Sequence, residues 1–226
     1  KVMLNTSYFS VAMVAFSLVF GLVLALILNQ RISGRGIFRV IFFSPYITTT
    51  SALALLWIWI FDPNYGLINY GLHLIGVSGP RWLTSTTWAM PALIIMTVWK
   101  TSGYSMVIFL AGLTNIPKEL REAAQMDGAG PWAILWKITL PLLSPTTFFL
   151  LFTLLISAFQ TFDQVAVMTA GGPIDSTKVL NYYIYEQAFI NYKAGYAASL
   201  AVVFFLLLLA LTILQLRASR RWVYQP

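Results

Sequence analysis

Between Tyr8 and Leu28 the chain carries no charged side chain. At about 1.5 Å per residue a helix of that length is about 30 Å long, enough to cross the hydrocarbon core of a bilayer. Four further apolar runs follow, at Ile37–Phe61, Trp88–Leu113, Leu142–Phe162 and Ala197–Leu216. Only 9% of the chain is charged and 59% is hydrophobic, whereas a soluble domain is usually about a quarter charged. The expected fold is an all-α integral membrane domain with five spans. No internal repeat or low-complexity tract divides it.

Local residues refine the spans. Gly21 and neighbouring alanines suit close helix packing in the first. Pro45 predicts a kink near the start of the second, where the hydroxyls of Thr48, Thr49, Thr50 and Ser51 can re-satisfy freed backbone groups. Trp57 and Trp59, at its far end, read as interface aromatics. A short interfacial helix is expected over Leu67–Ile75, and another, rich in tyrosine, over Ser176–Ile190. The chain starts at Lys1 and not at a methionine, so an N-terminal part of the natural protein is expected to be missing. The first run is too long, and lacks the basic flank, to be a cleavable signal peptide.

The absence of cysteine excludes a disulfide framework, a thiolate metal site and a cysteine nucleophile. The single histidine, His73, excludes a multi-histidine metal site and is assigned no chemistry. A net charge of +7 raises nucleic acid or anionic lipid as partners, but its distribution points to membrane orientation. Nine basic residues fall on one side of the five spans: Arg31, Arg35, Arg39, Lys118, Arg121, Lys137, Arg217, Arg220 and Arg221. Lys1, Arg81, Lys178 and Lys193 fall on the other, and Lys100 lies within a span. The positive-inside rule then puts the central loop and the C-terminus in the cytoplasm and residue 1 outside. No nucleic-acid partner is expected.

That central loop, Asn115–Pro145, is the long polar interruption in the middle of the sequence. Pro117 can open a helix at no cost in hydrogen bonds. Glu119 and Glu122 favour its positive end, and Leu120, Ala123 and Ala124 share one face. Asp127-Gly128 is turn chemistry. Pro131 opens a second helix, and Pro141 is expected to break it. Trp132 and Trp136 on that second helix read either as interface aromatics or as packing against the domain's own spans.

The pattern Glu122-Ala123-Ala124, then Asp127-Gly128-Ala129, then Ile138-x-Leu140-Pro141 resembles the EAA motif of ABC importer permeases. The stretch Phe162-Asp163, Thr169-x-Gly171-Gly172-Pro173 and Ser176-Thr177 resembles the maltose-transporter type of these permeases, the carbohydrate and glycerol-3-phosphate group. Within that group it looks like the first of the two permease subunits. The resemblance covers nearly the whole chain. It implies a type I ABC importer transmembrane domain over residues 1–226, with a coupling loop at 115–141 and a sixth span before Tyr8. It also implies the partners: a second permease subunit, two ATPase subunits, an extracytoplasmic substrate-binding protein and membrane lipid of a prokaryotic inner membrane. Glu122, Ala123, Ala124, Asp127 and Gly128 would then couple to the ATPase. No cofactor is expected on this chain. It has no G-x-x-x-x-G-K-[ST] loop, so ATP and Mg belong to partner subunits and the chain is not itself an enzyme.

Polar residues inside spans usually face a bundle interior or a water-filled path. Thr97, Lys100, Thr101 and Tyr104 fall on one face of the third span. Thr153, Ser157, Gln160, Thr161 and Gln164 form a stripe on the fourth. Hydroxyls in such stripes often bond only their own backbone, and the alternative reading of Lys100 is an ion-pair partner of Asp163 or of an acid on a neighbouring subunit. The resemblance places the sugar site on the helices before and after the EAA loop. It therefore marks Thr97, Lys100, Thr101, Tyr104, Ser157, Gln160 and Thr161 as the substrate path. The competing readings are an ion-coupled secondary transporter, a membrane-embedded enzyme and an amino-acid importer subunit. The first leaves the structured loop unexplained, and the second needs clustered acids or histidines that the sequence scatters. The Gly171-Gly172-Pro173 segment argues for carbohydrate over the third.

Overall fold

The structure, a computed structural model, describes residues 1–30 and 33–222, with side chains through residue 218. Arg31 of the basic side lies outside the described residues, as do the side chains of Arg220 and Arg221. Three helices are long and apolar enough to cross a membrane: α1 (Val2–Leu28), α5 (Ala89–Thr114) and α12 (Ala194–Trp222). Two bent pairs bring the number of spans to five if each is one span: α2 (Arg35–Ile47) with α3 (Thr50–Ile60), and 131–142 with α9 (Ser144–Phe159). No strand occurs among the described residues.

α5 is the centre of the bundle. α1 runs along it, α2 crosses it, and α9 packs on α1. Small residues permit these approaches. A Cβ on Gly21 would lie 2.3 Å from that of Ser105, and a Cβ on Gly103 would lie 1.9 Å from the carbonyl oxygen of Phe42 in α2. Between helices in lipid, where no hydrophobic gain is available, such close van der Waals contact supplies much of the association. α12 is the least enclosed of the long helices, consistent with a face toward lipid or another membrane subunit.

Several expectations shift. α1 begins at Val2, not Tyr8. Pro45 lies inside α2, where neither its ring nor its missing N–H stops the helix. The break comes at Thr48–Thr49, whose extended ψ angles of 144° and 136° turn the chain through 103°. Trp57 is not an interface aromatic: it is 8% exposed, whereas Trp59 is 54% exposed. Trp57 stacks with Phe61, which continues to Trp82 and Trp88 through centroid distances of 5.0, 5.3 and 5.3 Å. Asn69 of α4 (Leu67–Leu74) holds this run: its Oδ1 accepts from Trp82 Nε1 at 2.8 Å, and its Nδ2 donates to the carbonyls of Pro63 and Pro80.

After α9 come α10 (Asp163–Met168) and α11 (Leu180–Tyr185), the latter continued by a π-helical turn at Glu186–Ile190. The helix expected over Ser176–Ile190 therefore starts only at Leu180. The preceding residues are held instead by a clasp onto the start of α1. Buried Thr6 Oγ1 accepts from Leu180 N–H at 2.9 Å, Asn5 Nδ2 donates to the carbonyls of Asp175 and Lys178, and Lys1 Nζ donates to that of Ile174. Lys178 Nζ pairs at 2.8 Å with both Asp175 and Glu186. The hydrogen bond from Lys178 holds the Asp175 carboxyl below the usual range. Burial works against the Lys178 charge, but its two carboxylate partners outweigh it and raise its pKa. The clasp is thus charged across the neutral range. It weakens as pH falls through the depressed Asp175 value and again as pH rises through the elevated Lys178 value. Thr6→Val strands the buried Leu180 N–H at a cost of about 1–3 kcal/mol. The expected result is faster amide exchange over residues 174–186, with exchange in α5 unchanged.

Candidate functional site

Two regions collect the residues marked by sequence. The first is the loop after α5. α6 (Lys118–Met126) follows Pro117 directly, and Asp127 caps its C-terminal end at the start of the turn. Gly128 has φ +78, a left-handed conformation that glycine adopts without penalty. Gly128 N–H donates to Gln125 O at 3.0 Å and Ala129 N–H to Ala124 O at 2.9 Å. This paired bonding is the Schellman closure, which satisfies two carbonyls at the end of a helix. Asp127-Gly128-Ala129 therefore closes α6 after Glu122-Ala123-Ala124.

Pro131 opens α7 (Pro131–Ile134), as expected. Pro141 does not end the helix. A π-helical turn at Leu135–Thr139 precedes it, and α8 (Leu140–Leu142) carries the chain past it. The wider turn accommodates a proline ring that would clash with the carbonyl four residues back in a regular α-helix. The bend, 63°, comes at Leu143. Trp132 and Trp136 do not pack on the domain's own spans: they are 74% and 65% exposed, and Met126 is 89% exposed. Glu122, Ala123, Asp127 and Gly128 are exposed and Ala124 is half-buried. The loop thus presents an apolar surface with charges of both signs, Lys118 and Arg121 beside Glu119, Glu122 and Asp127, that nothing in the described residues covers. Above it, a cavity of about 980 Å³ is lined by Gln30, Arg35, Lys118, Arg121 and Glu122.

The second region is a cavity of about 520 Å³ between α5 and the end of α9. Thr97, Lys100 and Thr101 line one wall, and Ser157, Gln160 and Thr161 another. Tyr104 is not among its lining residues. It stands behind Tyr46, which does line it, with their rings stacked at 4.6 Å. Thr97 and Thr101 donate to the carbonyls of Leu93 and Thr97, and Thr153 to those of Phe149 and Leu150, the self-satisfied arrangement common for helix hydroxyls. Their acceptor sides are used as well. Gln164 Nε2 donates to Thr97 and Thr161, and Thr101 bonds Ser17 of α1 at 2.7 Å. These threonines fix the walls. Ser157 and Gln160 are exposed, with no side-chain hydrogen bond among the described residues.

Lys100 Nζ donates to Thr50 Oγ1. Asp163, at the first turn of α10, lines the same cavity, yet among the described residues the two form no ion pair. Tyr46 and Thr50 were missed by the sequence reading. The packing of α2 on α5 sets Tyr46 beside the cavity and the bend at Thr48–Thr49 brings Thr50 to Lys100; Pro45 with the threonines at 48–50 was the available signal. Among the described residues no group of acids and histidines is placed to hold a metal.

Comparison with known proteins follows the same outline. Residues 17–224 match the sequence family described as binding-protein-dependent transport system inner membrane component. The sn-glycerol-3-phosphate transport system permease protein UgpA of Yersinia pestis is 37% identical over 220 residues, covering 97% of this chain and 74% of that protein. The sulfoquinovosyl glycerol transport system permease protein SmoG of Agrobacterium fabrum is 38% identical over 216 residues, covering 96% and 70%. A chain in the crystal structure of a bacterial alginate ABC transporter in complex with an alginate pentasaccharide-bound periplasmic protein superposes with a TM-score of 0.87 at 26% identity, covering 97% of this chain and 77% of that one.

Proposed function

This chain belongs to the family of binding-protein-dependent transport system inner membrane components, and from that membership we propose that it forms the solute path of an importer through the cavity between α5 and α9. It is a permease subunit and does not hydrolyse ATP. The proposed solute is a carbohydrate or a glycerol-3-phosphate-like compound, in keeping with the solutes named for UgpA and SmoG. The proposed assembly pairs this chain with a second permease subunit, two ATPase subunits that carry the ATP and Mg, and a binding protein at the outer face. The alginate transporter complexed with a periplasmic protein supports that last partner. No cofactor is assigned to this chain. The proposed orientation puts the loop 115–141 and the C-terminus in the cytoplasm.

The observation that carries the coupling role is the exposed surface of α6, α7 and the π-helical turn after them, with a left-handed glycine closing α6 and Met126, Trp132 and Trp136 in the open. A loop with no partner would not favour three large apolar side chains in water. In the proposed cycle Glu122, Ala123, Ala124, Asp127 and Gly128 transmit ATPase closure to α5 and α9, the helices on either side. The bundle then exchanges inward- and outward-facing states, driven by ligands that bind the two states differently.

Lys100→Ala and Gln160→Ala test the path. Each is expected to lower ATP-driven solute uptake by about tenfold, a loss of about 1.4 kcal/mol, in an assembly whose subunit composition is unchanged. Normal uptake through both variants would remove the cavity from the path.

A further inference from the structure

We propose that the cavity between α5 and α9 is built for an uncharged polyhydroxylated solute and that Asp163 excludes anions from it. The inference rests on the preceding reading that this cavity is the path. A lone lysine at mid-span would mark the path of an anion, since a buried charge needs a counter-charge. Here the counter-charge is already present. Lys100 and Asp163 line one cavity, each held by its own helix, and do not form a direct pair. The cavity is therefore electrically balanced when empty. A neutral solute leaves that balance intact, whereas a phosphate brings two negative charges against one cation and beside a carboxylate. Lys100 is half-buried and Asp163 is exposed within this chain, and charges sharing one cavity lie closer than the screening length of about 10 Å at 0.1 M salt, so the repulsion persists.

The remaining groups fit a sugar or polyol. Ser157 and Gln160 offer a hydroxyl and an amide with no side-chain hydrogen bonds among the described residues. The Gln164 amide nitrogen is committed to two threonines, which leaves its carbonyl oxygen as an acceptor. Tyr46 presents a ring braced from behind by Tyr104, a flat apolar wall of the kind that covers the C–H face of a sugar ring. A carboxylate accepts hydrogen bonds from hydroxyls through two oxygens and donates none. That makes Asp163 a specificity-determining group for polyols and a barrier to phosphate esters. The proposal thus separates this chain from the phosphate named for the UgpA solute.

The test is saturation-transfer NMR on the assembled transporter in nanodiscs without binding protein, with maltose, trehalose, sorbitol and sn-glycerol 3-phosphate as separate probes. The expected result is transfer to at least one neutral probe and none to the phosphate. Asp163→Asn should admit sn-glycerol 3-phosphate with an affinity raised about tenfold or more. Asp163→Glu, which keeps the charge, should still exclude it. Lys100→Met added to Asp163→Asn should remove the phosphate signal again. Wild-type binding of sn-glycerol 3-phosphate as tight as that of any neutral probe would overturn the proposal, as would silence from every neutral probe or an Asp163→Asn variant indistinguishable from wild type. ATP-driven uptake by Lys100→Ala and Gln160→Ala separates the two readings. Normal uptake there rejects the path itself, whereas impaired uptake with equal phosphate binding rejects only the charge selection.

Discussion

Gly128→Trp is expected to abolish stimulation of the partner ATPase by loaded binding protein while leaving this chain folded in the membrane. Gly128 has φ +78, so any side chain there costs about 1–2 kcal/mol in backbone strain. A Cβ added at Gly128 meets nothing within 4 Å. Within this chain, therefore, the Cβ that alanine and tryptophan share strains the Schellman turn without a clash, at a position that is exposed. They differ only toward a partner. Gly128→Ala is expected to lower stimulated ATPase by about the factor that its strain sets, and Gly128→Trp by about a further tenfold or more, another 1.4 kcal/mol or so. The measurement is ATP hydrolysis by the reconstituted complex, with the amount of ATPase subunit bound to the membrane determined alongside. Equal activity of the two variants would mean that the turn matters only for local structure.

Gly103→Leu is expected to be the most damaging single change in the bundle. The position lies in α5, facing the backbone of α2 across a contact in which a Cβ would overlap the Phe42 carbonyl oxygen. Flexible side chains can move aside; a carbonyl in a helix cannot without breaking the helix or displacing it. Overpacking of a well-formed core typically costs about 1–3 kcal/mol, and a clash with backbone belongs at or above the upper end. The consequence is more than instability. α2 carries Tyr46 and leads through the Thr48–Thr49 bend to Thr50, so a displaced α2 would pull both away from Lys100. Loss of folded protein in membranes, or a lowered melting temperature with impaired uptake in what remains, is the expected outcome. Wild-type melting and uptake would contradict the close approach.

The features read correctly from sequence are those set by local chemistry. Apolar length located the spans, and Pro117, Asp127-Gly128 and Pro131 located the helix–turn–helix of the loop, because caps, positive φ and N-terminal prolines act within a few residues. The stripes on α5 and α9 predicted that Thr97, Lys100, Ser157 and Gln160 would share a space, since helical periodicity fixes which residues share a face. What escaped depends on partners distant in sequence. Pro45 signalled a kink, but the extended backbone of Thr48 and Thr49 turns the chain. Trp57 has the composition of an interface residue and is buried because Phe61 and Trp99 pack against it. The late start of α11 follows from Thr6 and Asn5, 170 or more residues away, which engage the backbone that would otherwise begin the helix. Tyr46 entered the cavity for the same reason: its place depends on the packing of α2 against α5, where its ring stacks on Tyr104, and not on its neighbours in the chain.

The absence of cysteine makes one measurement especially clean. With Ala123→Cys as the single thiol of this chain, a short bifunctional reagent applied to the assembled complex should link α6 to the ATPase subunit, with a yield that changes when ATP is added. Tyr65→Cys, on the exposed loop between α3 and α4, should give no such product. A product at position 123 that responds to ATP is the predicted result. No product at position 123, under conditions in which the complex remains assembled and active, would contradict the role of the loop as the point of coupling.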